Sequence, residues 1–222
     1  MQFKIDLKIF LFFIIYYFTK QIETYLVIMV FAIVHEMGHL IVGLILGLKP
    51  NNIRLMPYGL SISFKMNTKE FNKKIFNGNL LEVKKIIIAI AGPLMNFIII
   101  LISSKLKINI FYKLMIIYSN FLILFFNLIP IYPLDGGRII KGFLPLSLGR
   151  KYAEKIINII SFITLLIITF FTAIGVCYTK NLSILFIIFF LWILYINQYV
   201  IYKKRKKIYN LIEKTIEIEG NK

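Results

Sequence analysis

The sequence predicts an all-α polytopic membrane protein of about six transmembrane helices, with a small β-hairpin and a re-entrant loop near the candidate site. Three observations predict it. Of the 222 residues, 59% are hydrophobic, where a soluble domain has about 45–50%. Mean hydropathy is +0.80, and the apolar residues gather into runs long enough to cross a bilayer. The formal net charge of +17 is concentrated between those runs, as in loops that face the cytosol. Nucleic acid is not the partner this charge points to, because no basic face alternates with aromatics outside the apolar segments. The partner it points to is the lipid bilayer.

The elements follow in order. Lys4 and Lys8 precede an apolar stretch, 9–18, and no A-x-A-like cleavage site follows, so an uncleaved first span is expected near 3–19. It is short against the roughly 17–25 residues a span needs. A second span is expected near 25–47. The polar stretch 48–85 then divides in two. "NIRLMPYGLSISF" alternates and carries turn residues, which predicts a short hairpin over 53–64. "NTKEFNKKIFNGNLLEVKK" reads as a basic amphipathic helix or surface segment. Further spans are expected near 86–104, 108–129, 156–178 and 182–202, and 203–222 is a charged tail. The membrane domain is therefore placed at 1–203, with its core at 25–145 and a cytosolic tail at 204–222. Cys177 is the only cysteine, which excludes an internal disulfide and a cysteine-based metal cluster.

The basic residues test this layout. With the N-terminus in the cytosol, the N-terminus, 48–85, 130–155 and the tail all face inward. Of 27 basic residues only Lys20, Lys105, Lys107, Lys113 and Lys180 lie elsewhere, and all five fall on or near the opposite side. The positive-inside rule thus places both termini in the cytosol.

Most of the ten acidic residues lie in loops, helix ends or the tail. Glu36 is mid-span, and Asp135 follows directly on an apolar span in "NLIPIYPLDGGR". An ionisable group at membrane depth is costly and marks a functional site by default. Glu36 lies in "VHEMGHL", which also holds the only two histidines, His35 and His39. On a helix, positions i and i+4 share a face with Cβ atoms about 5–6 Å apart, so both imidazoles reach one metal ion. Glu36 stands beside the first ligand, placed to take a proton from water that the metal acidifies. This is the H-E-x-x-H arrangement of metal-dependent peptidases.

A catalytic zinc usually takes three protein ligands and keeps one position for water. With no third histidine, the third ligand must be oxygen, and Asp135 is the only other acid beside an apolar span. The second span ends inside with His35 and His39 in its later half, and the fourth ends inside just before Asp135. All three can therefore meet in the cytosolic half of the membrane. Asp135 also has a simpler reading, as the cap of a short helix that begins near Gly136.

"HEMGH", "AGPLMN" (91–96) and "NLIPIYPLDGGR" together resemble the site-2 protease family of intramembrane zinc metalloproteases, with the greatest likeness to its stage IV sporulation FB-type branch. The resemblance covers about 25–145. It implies Zn2+ held by His35, His39 and Asp135, with Glu36 as the base. It implies a substrate or oxyanion role for Asn127, and Gly92, Pro93 and Asn96 lining the site or letting helices pack around it. The implied reaction is hydrolysis of a peptide bond in or near a membrane segment of a membrane-associated protein, such as a pro-sigma factor in sporulation, in a bacterial cytoplasmic-type membrane with the active site toward the cytosol. Regulatory inhibitor proteins are a further class of partner. The sequence departs from the pattern in leaving no room for a PDZ domain between the motifs and in showing no C-terminal CBS domain. Two other functions use the same residues: a membrane metal transporter, which needs further polar residues along a path, and an inactive homologue that only holds substrates, which does not need Glu36.

Overall fold

A computed structural model describes residues 2–5, 10, 14, 16–18, 20–56, 59–65, 75–107, 109–180 and 183–220. The elements are β1 (Gln2–Ile5), α1 (Ile22–Ile45), β2 (Lys49–Met56), β3 (Gly59–Lys65), α2 (Ile75–Lys105), α3 (Ile110–Leu128), α4 (Asp135–Leu148), α5 (Arg150–Thr179) and α6 (Ser183–Gly220). They form two units, Met1–Leu128 and Ile129–Lys222.

Among the described residues, five helices are long and apolar enough to cross a membrane: α1, α2 from Asn79, α3, α5 and α6. The sixth span, expected near 3–19, is not among them. Its start is a strand, because Gln2–Ile5 pairs in parallel with Asn52–Leu55, and much of the remainder lies outside the described residues. Outward-facing residues of the spans are apolar, as with Phe170 and Phe171 at 64% and 65% exposure. Such exposure would be a liability in water and suits lipid.

In the first unit, α1 and α2 pack through small residues. Ala32 and Gly38 on α1 and Ala89 and Ala91 on α2 are buried. A Cβ on Gly38 would run into the Ala91 carbonyl and the Met95 side chain. Small-on-small contact is how helices approach closely in lipid, where no hydrophobic effect drives them together. The expected hairpin is present as β2 and β3, antiparallel with Ile53 opposite Ile62 and a register shift between Pro50 and Asn52. With β1 it forms a three-stranded sheet, β1-β2-β3, which amends the all-α expectation. Phe64 of β3 fills the space over Gly43 of α1, so the glycine seats the sheet on the helix. The basic segment expected before the third span becomes, from Ile75, the opening turns of α2 itself. Lys84 from that part donates to the Leu46 carbonyl at 2.9 Å, satisfying an orphan acceptor at the end of α1.

In the second unit, α4 packs on α5 and α5 on α6. Ala153, Ile157, Leu165, Ile188, Leu191 and Tyr195 are buried. The Trp192 indole N–H donates to Thr169 Oγ1 at 3.3 Å, tying α6 to α5 at membrane depth. Between α3 and α4, 129–134 is an irregular turn. Leu134 N–H bonds the Ile131 carbonyl at 2.8 Å, and Tyr132 N–H bonds Ser161 Oγ at 3.1 Å. A Cβ on Gly137 would collide with the backbone at Ile131 and Tyr132, so the glycine lets α4 fold back onto the turn that precedes it. The tail does not begin as a separate element: α6 continues through "KKRKK" to Gly220.

Candidate metal centre

His35 and His39 are both buried, at 2% and 3% exposure, on the later half of α1. Such burial is expensive for imidazoles unless their polar atoms are satisfied. Each Nδ1 has a partner on α2. His35 Nδ1 bonds Asn96 Oδ1 at 2.9 Å, and His39 Nδ1 bonds the Ile88 carbonyl at 2.6 Å. Both partners are oxygens that only accept, so both Nδ1 atoms carry the proton and donate. Each neutral ring then presents its lone pair at Nε2.

The two Nε2 atoms stand 3.2 Å apart. Neither has a proton to give the other in this tautomer, so two acceptors face each other. That arrangement fits a shared cation. Two Zn–N bonds of about 2.0–2.1 Å at the tetrahedral angle place their nitrogens about 3.3–3.4 Å apart. The rings are nearly perpendicular, at 89°, and converge on one point without stacking. The donor set therefore fits a tetrahedral metal, with α2 supplying the groups that fix each ring.

Gly92 explains how α2 comes so close. A Cβ there would meet His39 Nε2 and Cε1 and His35 Cε1. Pro93 lies inside the helix and has no N–H, so the Ala89 carbonyl lacks its usual helical donor. Asn96 is fully buried, and its Nδ2 has no acceptor among the described residues. The structure thus brings His35, His39, Gly92 and Asn96 together. Glu36 is half-buried and next in sequence to His35, rotated about 100° round the helix.

Asn127 is not joined to the imidazoles by any hydrogen bond among the described residues. Its Nδ2 donates one turn back, to the Ile123 carbonyl at 3.0 Å. A polar group absent from the sequence expectations is Asn120, also on α3 and fully buried. Its Nδ2 bonds the Ile116 carbonyl at 2.9 Å, and its Oδ1 lacks a donor among the described residues. The signal was legible, an amide inside the apolar run "YSNFLILFF", but it belongs to no motif.

In the second unit Asp135 is buried, at 3% exposure. It is the first residue of α4 and not its cap. The N-cap is Leu134, and no side chain caps the helix. The simpler reading of Asp135 as a capping residue therefore fails. Asp135 Oδ1 accepts from Arg138 Nη1 at 3.3 Å, one turn on.

Peptidase family M50 is the family description that matches this chain, over residues 23–110 and 102–171. The zinc metalloprotease MJ0392 of Methanocaldococcus jannaschii is 33% identical over 139 residues, 60% of this chain and 37% of that protein. Stage IV sporulation protein FB of Bacillus subtilis is 25% identical over 126 residues, 55% of this chain and 40% of that protein. The matched stretch thus spans about two fifths of the length of these curated relatives. A solved structure, the site-2 protease from Methanocaldococcus jannaschii, shares the fold with a TM-score of 0.58 at 24% identity, covering 87% of this chain and 88% of that one.

Proposed function

The chain belongs to peptidase family M50, and from that premise we propose that it is an intramembrane zinc endopeptidase of the site-2 protease type. The observation that carries the reading is the approach of the two Nε2 atoms to 3.2 Å, with each Nδ1 bonded to an oxygen of α2. His35, His39 and Asp135 are the residues that would hold the zinc. Zinc, when bound there, polarises the scissile carbonyl and makes water a nucleophile near neutral pH.

The chain's own residues do the rest. Glu36 accepts a proton as water adds to the carbonyl carbon, and returns it to the amide nitrogen as the C–N bond breaks. Asn96 holds His35 in its donating tautomer. Gly92 and Pro93 keep the α2 backbone close enough for Ile88 and Asn96 to reach the rings. Asn127, at the end of α3, supplies an amide for the substrate or the developing oxyanion. The substrate is a membrane-associated protein. Its segment must unwind locally before hydrolysis, because a helix hides its carbonyls in i→i−4 bonds, and β3 offers an edge on which an extended segment adds as a strand. The likeness to the sporulation protein supports a pro-sigma factor as the substrate class, with inhibitor proteins as regulators. The turn 129–134 serves as the re-entrant loop, and both termini and the site face the cytosol.

Processing of a single-span substrate by wild type and Glu36→Gln tests the reading. The variant is expected to lose at least about 100-fold in rate while keeping its metal. Equal processing by both would overturn the protease assignment. Metal analysis of His35→Ala and Asp135→Ala tests the ligand set, and a full complement of zinc in either removes that residue from it.

A further inference from the structure

We propose that a cleft in the second unit, between the first turns of α5 and the stretch of α6 where the chain turns basic, binds the phosphate headgroup of an anionic phospholipid. The cleft is open on one side and is lined by Tyr132, Lys141, Glu154, Asn158, Gln198 and Arg205, with Ile157 and Ile201 beside them.

Several of its donors have no hydrogen-bonded acceptor among the described residues. Lys141 Nζ stands 3.9 Å from the centroid of the Tyr132 ring, a cation–π contact that uses none of its three N–H groups as hydrogen bonds. Arg205 gives one N–H to Glu154 Oε1 at 2.7 Å and retains four of its five. Asn158 and Gln198 are half-buried, and among the described residues neither is hydrogen-bonded. Lys141, Asn158 and Gln198 are half-buried and Arg205 is exposed, so the cleft offers donors to an acceptor-rich group entering from its open side. The charges narrow the class further. Lys141 and Arg205 against Glu154 leave one positive charge in excess, which matches the single negative charge of a phosphodiester.

Depth and surroundings favour a lipid over a soluble anion. Tyr195, Tyr199 and Tyr202 follow one another down α6 with ring centroids 6.0 and 6.2 Å apart, just before "KKRKK" at 203–207. Tyrosines at the change from apolar to basic sequence mark headgroup level, and basic pockets between membrane helices suit anionic headgroups. Phe162 on α5 and Ile196 and Val200 on α6 are exposed on the same helix pair, giving an acyl chain a surface that a free phosphate would leave unused.

Native mass spectrometry of the full chain, purified with equal amounts of phosphatidylglycerol and phosphatidylcholine, tests this without any protease assay. Phosphatidylglycerol is expected to be retained over phosphatidylcholine. The pair Lys141→Gln with Asn158→Ala should lower that retention at least fivefold. Gln198→Leu, which leaves every charge in place, should lower it at least twofold, and Lys141→Arg should keep it. Lys206→Gln with Lys207→Gln, on exposed residues outside the cleft, should leave it unchanged. Emission of Trp192, the only tryptophan, checks that each variant is folded. Equal retention of the two lipids overturns the proposal. So does an undiminished signal in Gln198→Leu, or a loss in the exposed pair as large as in the cleft pair, which would reduce the effect to diffuse charge. Displacement of the lipid by millimolar inorganic phosphate or glycerol 3-phosphate would show that the cleft takes a soluble phosphate and overturn the lipid assignment.

Discussion

At Gly92 the absence of a side chain is what allows two imidazoles and a helix backbone to occupy one place. Gly92→Ala puts a methyl against His35 and His39, and the rings must leave their shared focus. The expected outcome is loss of bound zinc and of cleavage together, read by metal analysis of the purified variant. Full zinc occupancy would show that α2 yields instead. Asn96 allows a finer test. Asn96→Leu leaves the His35 Nδ1–H without an acceptor, whereas Asn96→Asp retains one. A loss of about 10–100-fold in metal affinity is expected for the leucine variant, with the aspartate variant near wild type in a chelator competition. Equal affinities for all three would make the 2.9 Å contact incidental. His35, Glu36 and His39 were legible because H-E-x-x-H needs only helical spacing to make chemical sense. The partners of the other ring nitrogens were not, because they come from 61 and 49 residues away and one is a backbone carbonyl with no residue type to announce it.

Between elements, the decisive contact is the seam of α1 and α2. Gly38→Leu forces side-chain volume into the Ala91 carbonyl and Met95. Overpacking of this kind costs about 1–3 kcal/mol, seen as an earlier midpoint in thermal or denaturant unfolding. An unchanged midpoint would mean that the helices separate freely. The sheet makes a different prediction. Successive N–H groups of a strand point to opposite edges, so one of Ser61→Pro and Ile62→Pro removes an outward donor from β3. That variant should cut substrate cleavage while zinc content holds, and unchanged cleavage in both excludes strand addition at β3. The hairpin was legible from its alternation and turn residues. The third strand was not, since Gln2–Ile5 lies 50 positions before its partner in register and runs straight into an apolar stretch that reads as membrane. Spans two to six were placed well because their apolar runs are long enough to cross a bilayer, which leaves tertiary context little to decide. Their ends were not, because α2, α5 and α6 extend past the apolar run into charged sequence.

For the whole molecule, the distribution of charge makes a claim about sidedness that the lone cysteine can report. Cys177 is exposed near the end of α5, and the charge pattern puts that end outside. A membrane-impermeant maleimide should label it in intact cells. It should label Lys206→Cys, introduced into Cys177→Ala, only after permeabilisation. The reverse pattern would invert the orientation. The ion pairs at the basic end carry a smaller expectation. Lys151–Glu213 and Arg205–Glu154 join α5 to α6, and the first is well exposed on both sides. Glu213→Gln should change the unfolding midpoint little, by about 1 kcal/mol at most; a larger loss would mean that the end of α6 is held by more than charge.

The clasp on the histidine rings also has a history in time. Asn96 and the Ile88 carbonyl, which bond the two Nδ1 atoms, both belong to α2, so these contacts need only the pairing of α1 with α2. Asp135 comes later, in a unit of its own. With the proposed ligands, a nascent chain passes through a stage with two imidazoles set and no third donor, able to sample metal but not to keep it. Firm capture then waits for Asp135, so that under the proposed function hydrolytic competence follows the pairing of α1 with α2 instead of accompanying it.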